Sequence, residues 1–142
     1  MSRYPRVSKL TEEEKDRKEG LMTLKDVVKL LNAEVLVCED GLDVEVKTAF
    51  AADLLSDVLS YAKEGALLVT GITNPQIVRT AEMLELIGIL VVRGKNPDAE
   101  TLKLAQTKGI PLMVTKYIMF ESCGRLYQNG VVGCVESVLS AK

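Results

Sequence analysis

Leu67-Leu68-Val69-Thr70-Gly71, Ile89-Leu90-Val91-Val92-Arg93-Gly94 and Ile110-Pro111-Leu112-Met113-Val114 decide the fold. The first run leads into Asn74-Pro75 and a helical stretch closed at Gly88. The second leads into Asn96-Pro97 and a helical stretch closed at Gly109. Three apolar strands joined by two short crossovers are two consecutive βαβ units, and such crossovers are right-handed and make parallel strands. Near-continuous apolar strands belong to sheets covered on both faces. The expectation is an α/β protein, a three-layer sandwich around a largely parallel central sheet with one antiparallel or edge strand. Thr70-Gly71, Arg93-Gly94-Lys95 and Thr115-Lys116-Tyr117 then fall at the carboxyl ends of the strands, where open α/β sheets hold ligands.

Each Asn-Pro pair has a structural role. Asn accepts an N–H at the helix cap, and Pro at the first helical position has no N–H to leave unpaired. Helix starts at strand ends also attract anions, and Arg93 and Lys95 add charge beside the second pair. No G-x-x-x-x-G-K-[ST] or G-x-G-x-x-G phosphate motif is present.

Outward from this centre, Thr23 and Asp26 cap a helix whose apolar side is Leu24, Val27, Val28 and Leu31. Ala33 to Cys38 reads as a strand and Asp40-Gly41 as a turn. Val44, Val46 and Thr48 alternate with charge, the pattern of an edge strand or hairpin return. Ala51 to Ala62 reads as a helix with Leu54, Leu55, Val58, Leu59 and Ala62 on one stripe. Asp53 and Asp57 would share a face of it. They either contact a hydroxyl-rich ligand or metal, or merely favour the helix start and meet solvent. Met119 to Gln128 is helical by spacing, stopped at Asn129-Gly130. The chain thus divides into a charged arm (1–20), an α/β domain (21–130) and an apolar tail (131–142) packed on the domain or on a second subunit. In the arm, Thr11 and Glu14 form a possible capping box for Glu12 to Lys18. The arm is either a solvated helix or one that docks on a partner subunit.

Of 142 residues, 47% are apolar and 27% charged, ordinary for one globular domain. A net charge of -2 argues against a general nucleic-acid binder. No apolar run approaches the roughly 20 residues of a membrane span. The first twenty residues carry six basic and five acidic groups and no apolar signal core, so the expected location is cytoplasmic. There is no histidine, which removes the usual base of nucleophilic triads. Cys38, Cys123 and Cys134 lack metal-ligand spacing and read as small core residues, so no metal is expected.

Three phrases together resemble the DRTGG domain family. Thr23-Leu24-Lys25-Asp26-Val27-Val28 through Ala33-Glu34-Val35-Leu36 resembles its opening helix and strand. Ala52-Asp53-Leu54-Leu55-Ser56-Asp57-Val58-Leu59 is similar to its D-L-[LM]-S-D-V-L helix. Thr115-Lys116-Tyr117-Ile118-Met119-Phe120-Glu121-Ser122 is similar to its T-P-Y-D-T-F-E-T ending. Where the family carries Asp-Arg this chain reads Thr70-Gly71-Ile72-Thr73-Asn74, and where it carries Thr-Gly-Gly it reads Arg93-Gly94-Lys95. The family accompanies phosphotransacetylases and CBS-containing pyrophosphatases and is related to the N-terminal domain of HPr kinase.

For a lone copy the resemblance implies a regulatory or ligand-sensing module, not an enzyme, that self-associates as a homodimer. It also points to a kinase-like ATPase or an iron–sulfur protein as partner. The ligand expected is a small anion such as a nucleotide, held by Asp53, Ser56, Asp57, Thr70, Gly71, Arg93, Gly94, Lys95, Thr115 and Tyr117. Two other readings compete: a phosphoryl- or acyl-transfer enzyme with Asp53 or Asp57 as base and Lys95 as stabiliser, and an interaction scaffold with a vestigial pocket.

Overall fold

The computed structural model describes residues 21–138; the arm, with its Thr11–Glu14 capping box, and the end of the tail lie outside the described residues. In chain order the elements are α1 (Leu24–Leu30), β1 (Glu34–Val37), a 3₁₀ turn (Glu39–Gly41) and β2 (Thr48–Ala51). They continue with α2 (Leu55–Tyr61), β3 (Leu67–Thr70), α3 (Pro75–Met83), β4 (Gly88–Val91) and α4 (Ala99–Lys108). β5 (Leu112–Val114), α5 (Met119–Gln128) and β6 (Val132–Gly133) complete the fold. Among the described residues no helix is long and apolar enough to cross a membrane.

Among the described residues, six strands lie in the order β1-β5-β4-β3-β2-β6. β3, β4 and β5 are adjacent and parallel, with Leu67 opposite Gly88 and Ile89 opposite Leu112. That is the arrangement the repeated strand–helix phrase dictates. Among these strands β1 runs antiparallel to its neighbour, pairing Glu34 with Val114, with a register shift between Val35 and Val37.

Alternation along the strands sends Leu68, Ile89, Val91 and Leu112 to one face, against Val58, Ile77, Val78, Ala81 and Ala105 of α2, α3 and α4. Leu67, Val69, Leu90, Val92 and Met113 go to the other, against Leu24, Val27 and Leu31 of α1 and Leu126 of α5. Period-2 side-chain direction thus splits one hydrophobic run into two cores.

Three expectations need correction. Ala51 to Ala62 is not one helix: Phe50 and Ala51 pair with Leu68 and Val69, and α2 begins only at Leu55. Asp53 therefore precedes the helix and shares no helical face with Asp57. Pairing of Phe50 and Ala51 with β3, continued by the Ala52 N–H to Val69 C=O, holds this stretch extended and sets that boundary. Likewise, Val44 to Lys47 forms no edge strand: it lies outside the named strands, with an isolated antiparallel bridge from Glu45 to Thr23, and only Thr48 enters β2, which lies inside the sheet, parallel to β3 and to β6. Asn96-Pro97 is not the cap of α4 either. Asp98 is, with its carboxylate accepting from Thr101 N–H at 2.9 Å. By contrast Asn74 caps α3 as its sequence requires, with Pro75 in the first turn.

Thr23 and Asp26 form a reciprocal capping box. Replacing Thr23 by Ala should cost about 1 kcal/mol in chemical denaturation. Leu90, fully buried in the central strand, should cost about 2–5 kcal/mol on truncation to Ala. The Thr101 hydroxyl and N–H hold the Asp98 carboxyl below the usual carboxylate range. Its contribution to stability is therefore present at neutral pH and fades as pH falls through that lowered value. Asp98→Asn should flatten this acid limb of the stability profile while leaving the neutral limb similar in slope.

Candidate functional site

All tips of β2 to β5 meet at one edge, and each is tied down by backbone hydrogen bonds. At the end of β2, Asp53 Oδ1 accepts the Gly71 N–H at 2.6 Å, joining the β2 and β3 tips. A Cβ on Gly71 would lie 3.0 Å from that oxygen, so the close approach favours glycine there. Thr70 Oγ1 accepts the Ile72 N–H at 3.1 Å and shapes the exit of β3. The Thr101 hydroxyl shares its one proton between the Asp98 carboxylate and Thr73 C=O, 2.8 Å away, linking the entries of α3 and α4.

Beyond β4 the chain makes a tight turn. Arg93 and Gly94 both have positive φ, 66° and 64°, and the Lys95 N–H returns to Val92 C=O at 3.4 Å. Two successive positive-φ residues closed this way have the character of a type I′ turn. The Arg93 N–H donates to Tyr117 C=O and the Gly94 N–H to Thr115 C=O, both at 2.8 Å. All three amides of this turn are thus engaged. It is no amide nest for an anion, and positive charge enters only through the Arg93 and Lys95 side chains.

At the β5 tip, the Thr115 hydroxyl donates to Leu31 C=O at 2.7 Å and accepts the Tyr117 N–H at 3.2 Å. The Arg125 guanidinium stacks on the Tyr117 ring, 4.2 Å from its centroid, and is held by Glu121 at 2.9 Å. Beside this tip lies a hollow of about 310 Å³ lined by Leu31, Asn32, Glu34, Val114, Thr115, Lys116 and Tyr117. That is the lower end of the size range of small-molecule pockets.

The ten residues expected at the site therefore fall into separate groups. Arg93, Gly94, Thr115 and Tyr117 are brought together directly, with Lys95 completing the same turn and Lys116 packing near Gly94. Asp53, Thr70 and Gly71 form the neighbouring tips, and Ser56 and Asp57 stand exposed in the first turn of α2. Asn32 and Glu34 were missed. They reach this edge because β1 runs antiparallel, a direction that no local pattern encodes. The one readable signal was an Asn just past a helix end, and Asn32 indeed takes φ 52°.

The helix starts offer an anion less than their sequence implies. In α3 the Gln76 N–H is taken by the Asn74 side chain and the Ile77 N–H by Asn74 C=O, while α4 is capped by a carboxylate. The thiols are not poised for chemistry. Burial pushes Cys123 up, and burial with nearby Asp40 does the same for Cys38. Cys38 and Cys134 point at the carbonyls of Ala105 and Tyr61. Among the described residues no group of three or more His, Cys, Asp or Glu could hold a metal ion.

The chain is similar in structure to the CBS and DRTGG domains of the regulatory region of Clostridium perfringens pyrophosphatase, crystallised with the activator diadenosine tetraphosphate. The TM-score is 0.58 at 18% identity, over 77% of this chain and 47% of that one. At that identity the likeness concerns the fold, and this chain spans under half of its neighbour. No curated protein sequence aligns significantly with it. The DRTGG domain model matches residues 26–128, the stretch that holds all three resembling phrases but for the first residues of α1 and its cap, and on that match the chain belongs to the DRTGG domain family.

Proposed function

We propose that this chain is a regulatory, non-enzymatic module that senses a small anionic ligand of the nucleotide class at the carboxyl edge of its sheet. One observation carries the reading: the Val92–Lys95 turn, pinned to Thr115 and Tyr117, sets Arg93, Lys95 and Lys116 at two adjacent strand tips. Placing Arg in a positive-φ conformation strains the backbone by about 1–3 kcal/mol, a cost that glycine would avoid. Strain of this kind is tolerated where a side chain is needed. The neighbour's complex with a nucleotide activator supports the same class of ligand.

A regulatory role suits this edge better than catalysis does. Asp53, Thr70, Asn74 and Thr115 direct their hydrogen bonds to backbone groups, leaving no paired nucleophile and base. Asp53 in particular serves as a latch for Gly71, not as a general base. The domain acts in the cytoplasm as a homodimer, transmitting ligand occupancy to a partner such as a kinase-like ATPase or an iron–sulfur protein. Support for association comes from a groove of about 650 Å³ between α5 and the β2–β6 margin, beside which Tyr127 and Val132 are 69% and 48% exposed.

Thermal shift against a panel of nucleotides and small phosphates tests the reading, since a ligand at 100 times its dissociation constant adds about 2.7 kcal/mol. Arg93→Ala with Lys95→Ala should weaken the hit about tenfold or more, in line with charge-assisted hydrogen bonds. Arg93→Gly should raise the melting temperature of the free protein yet lower affinity, separating the residue's charge from its backbone strain. Unchanged affinity in both would remove the ligand from this edge. Sedimentation at micromolar concentration should show a dimer, and Tyr127→Glu should shift it toward monomer.

A further inference from the structure

The hollow beside β5 has two chemically different ends. Lys116 lies on the side of the Arg93 turn, near Gly94. Glu34 lies on the other side, where antiparallel β1 brings it opposite Val114. A bare phosphate would meet Lys116 but also the repulsion of the Glu34 carboxylate. A carboxylate accepts hydrogen bonds and cannot donate them, so that end of the hollow calls for N–H donors. Asn32 stands next to it with both donor and acceptor capacity.

Between the two ends, Tyr117 forms part of the wall. The Arg125 guanidinium covers one face of its ring, and Arg125 does not line the hollow. What Tyr117 offers the hollow is thus its remaining surface, held rigid by the Glu121–Arg125 pair behind it. A fixed aromatic of this kind suits a flat ring. The wall is also set in advance, because the Thr115 hydroxyl bridges β5 to Leu31 C=O across its base.

We propose that this hollow is a base subsite that selects nucleotides whose ring carries an exocyclic amine. The amine donates to Glu34, the ring lies against Tyr117, and the phosphate extends toward Lys116, Arg93 and Lys95. This deepens the anion-sensing reading and rests on it. A ring with a carbonyl in place of the amine sets an oxygen against the Glu34 carboxylate and is disfavoured. Selectivity therefore comes from β1 and the anionic anchor from β4 and β5.

Titration calorimetry with AMP, IMP and ribose 5-phosphate, on the full chain and on Glu34→Gln, tests this. AMP should bind about tenfold or more tighter than either IMP or ribose 5-phosphate. Because a glutamine amide serves as donor or acceptor, Glu34→Gln should bring AMP and IMP to similar affinity, while ribose 5-phosphate, relieved of the carboxylate's repulsion, should bind equally or more tightly. Glu34 is exposed at the edge of the sheet, so the variant should fold, and matching melting curves would establish that. Equal binding of all three probes, weakened alike by Arg93→Ala, would overturn the base subsite and leave the anion site standing. Discrimination that persists in Glu34→Gln would likewise overturn it. Failure of every probe to bind would overturn both.

Discussion

Parallel strands cannot be joined by tight turns, and that single constraint organises the molecule. Each of β3, β4 and β5 must be followed by a helix that returns the chain to the opposite end of the sheet. Both faces are thereby covered, which is why the strands are apolar on consecutive residues instead of alternate ones. The same constraint sends the exits of β2, β3, β4 and β5 to one edge, where antiparallel β1 begins. Polar residues that would cost stability inside the sheet accumulate there, so the position of the candidate site follows from the connectivity.

The edge is organised without the devices most often found at such places. The starts of α3 and α4 are closed by their own caps, and the Arg93 and Gly94 amides of the turn after β4 are spent on the carbonyls of Tyr117 and Thr115. Backbone hydrogen bonding ties the tips together, and side chains are the groups left facing outward from them. That division fits a family in which one fold serves different partners, because the side chains at the tips can change without altering the ladder beneath them. Here Thr70-Gly71 close β3 and Arg93-Gly94-Lys95 form the turn after β4.

The sequence made the central βαβαβ unit, the Asn74 cap, the Thr23 capping box and the α5 helix legible, because each rests on local chemistry. What escaped it depends on partners distant in the chain. The start of α2 was misplaced because Phe50 and Ala51 belong to a ladder with Leu68 and Val69. The α4 cap moved from Asn96 to Asp98 because Thr101 and Thr73 tie that loop to the entry of α3. Glu34 went unnoticed because the direction of β1 is set by β5, nearly eighty residues later. Arg93, Lys95 and Tyr117 were placed at one edge from connectivity alone. Their mutual bonding was not readable, because consecutive positive-φ residues at Arg93-Gly94 leave only a glycine as trace.

The short β6 strand sets a boundary that family likeness does not. The family match closes at residue 128, yet Val131 is buried, Val132 N–H reaches Lys47 C=O and Cys134 N–H reaches Ala49 C=O. These few residues cover the outer margin of β2, whose Thr-Ala-Phe-Ala sequence would otherwise present an unpaired, uncharged edge to any passing chain. The unit of homology is thus shorter than the unit that folds cleanly. Trimming the protein to its family limits would bare that edge and favour edge-to-edge aggregation.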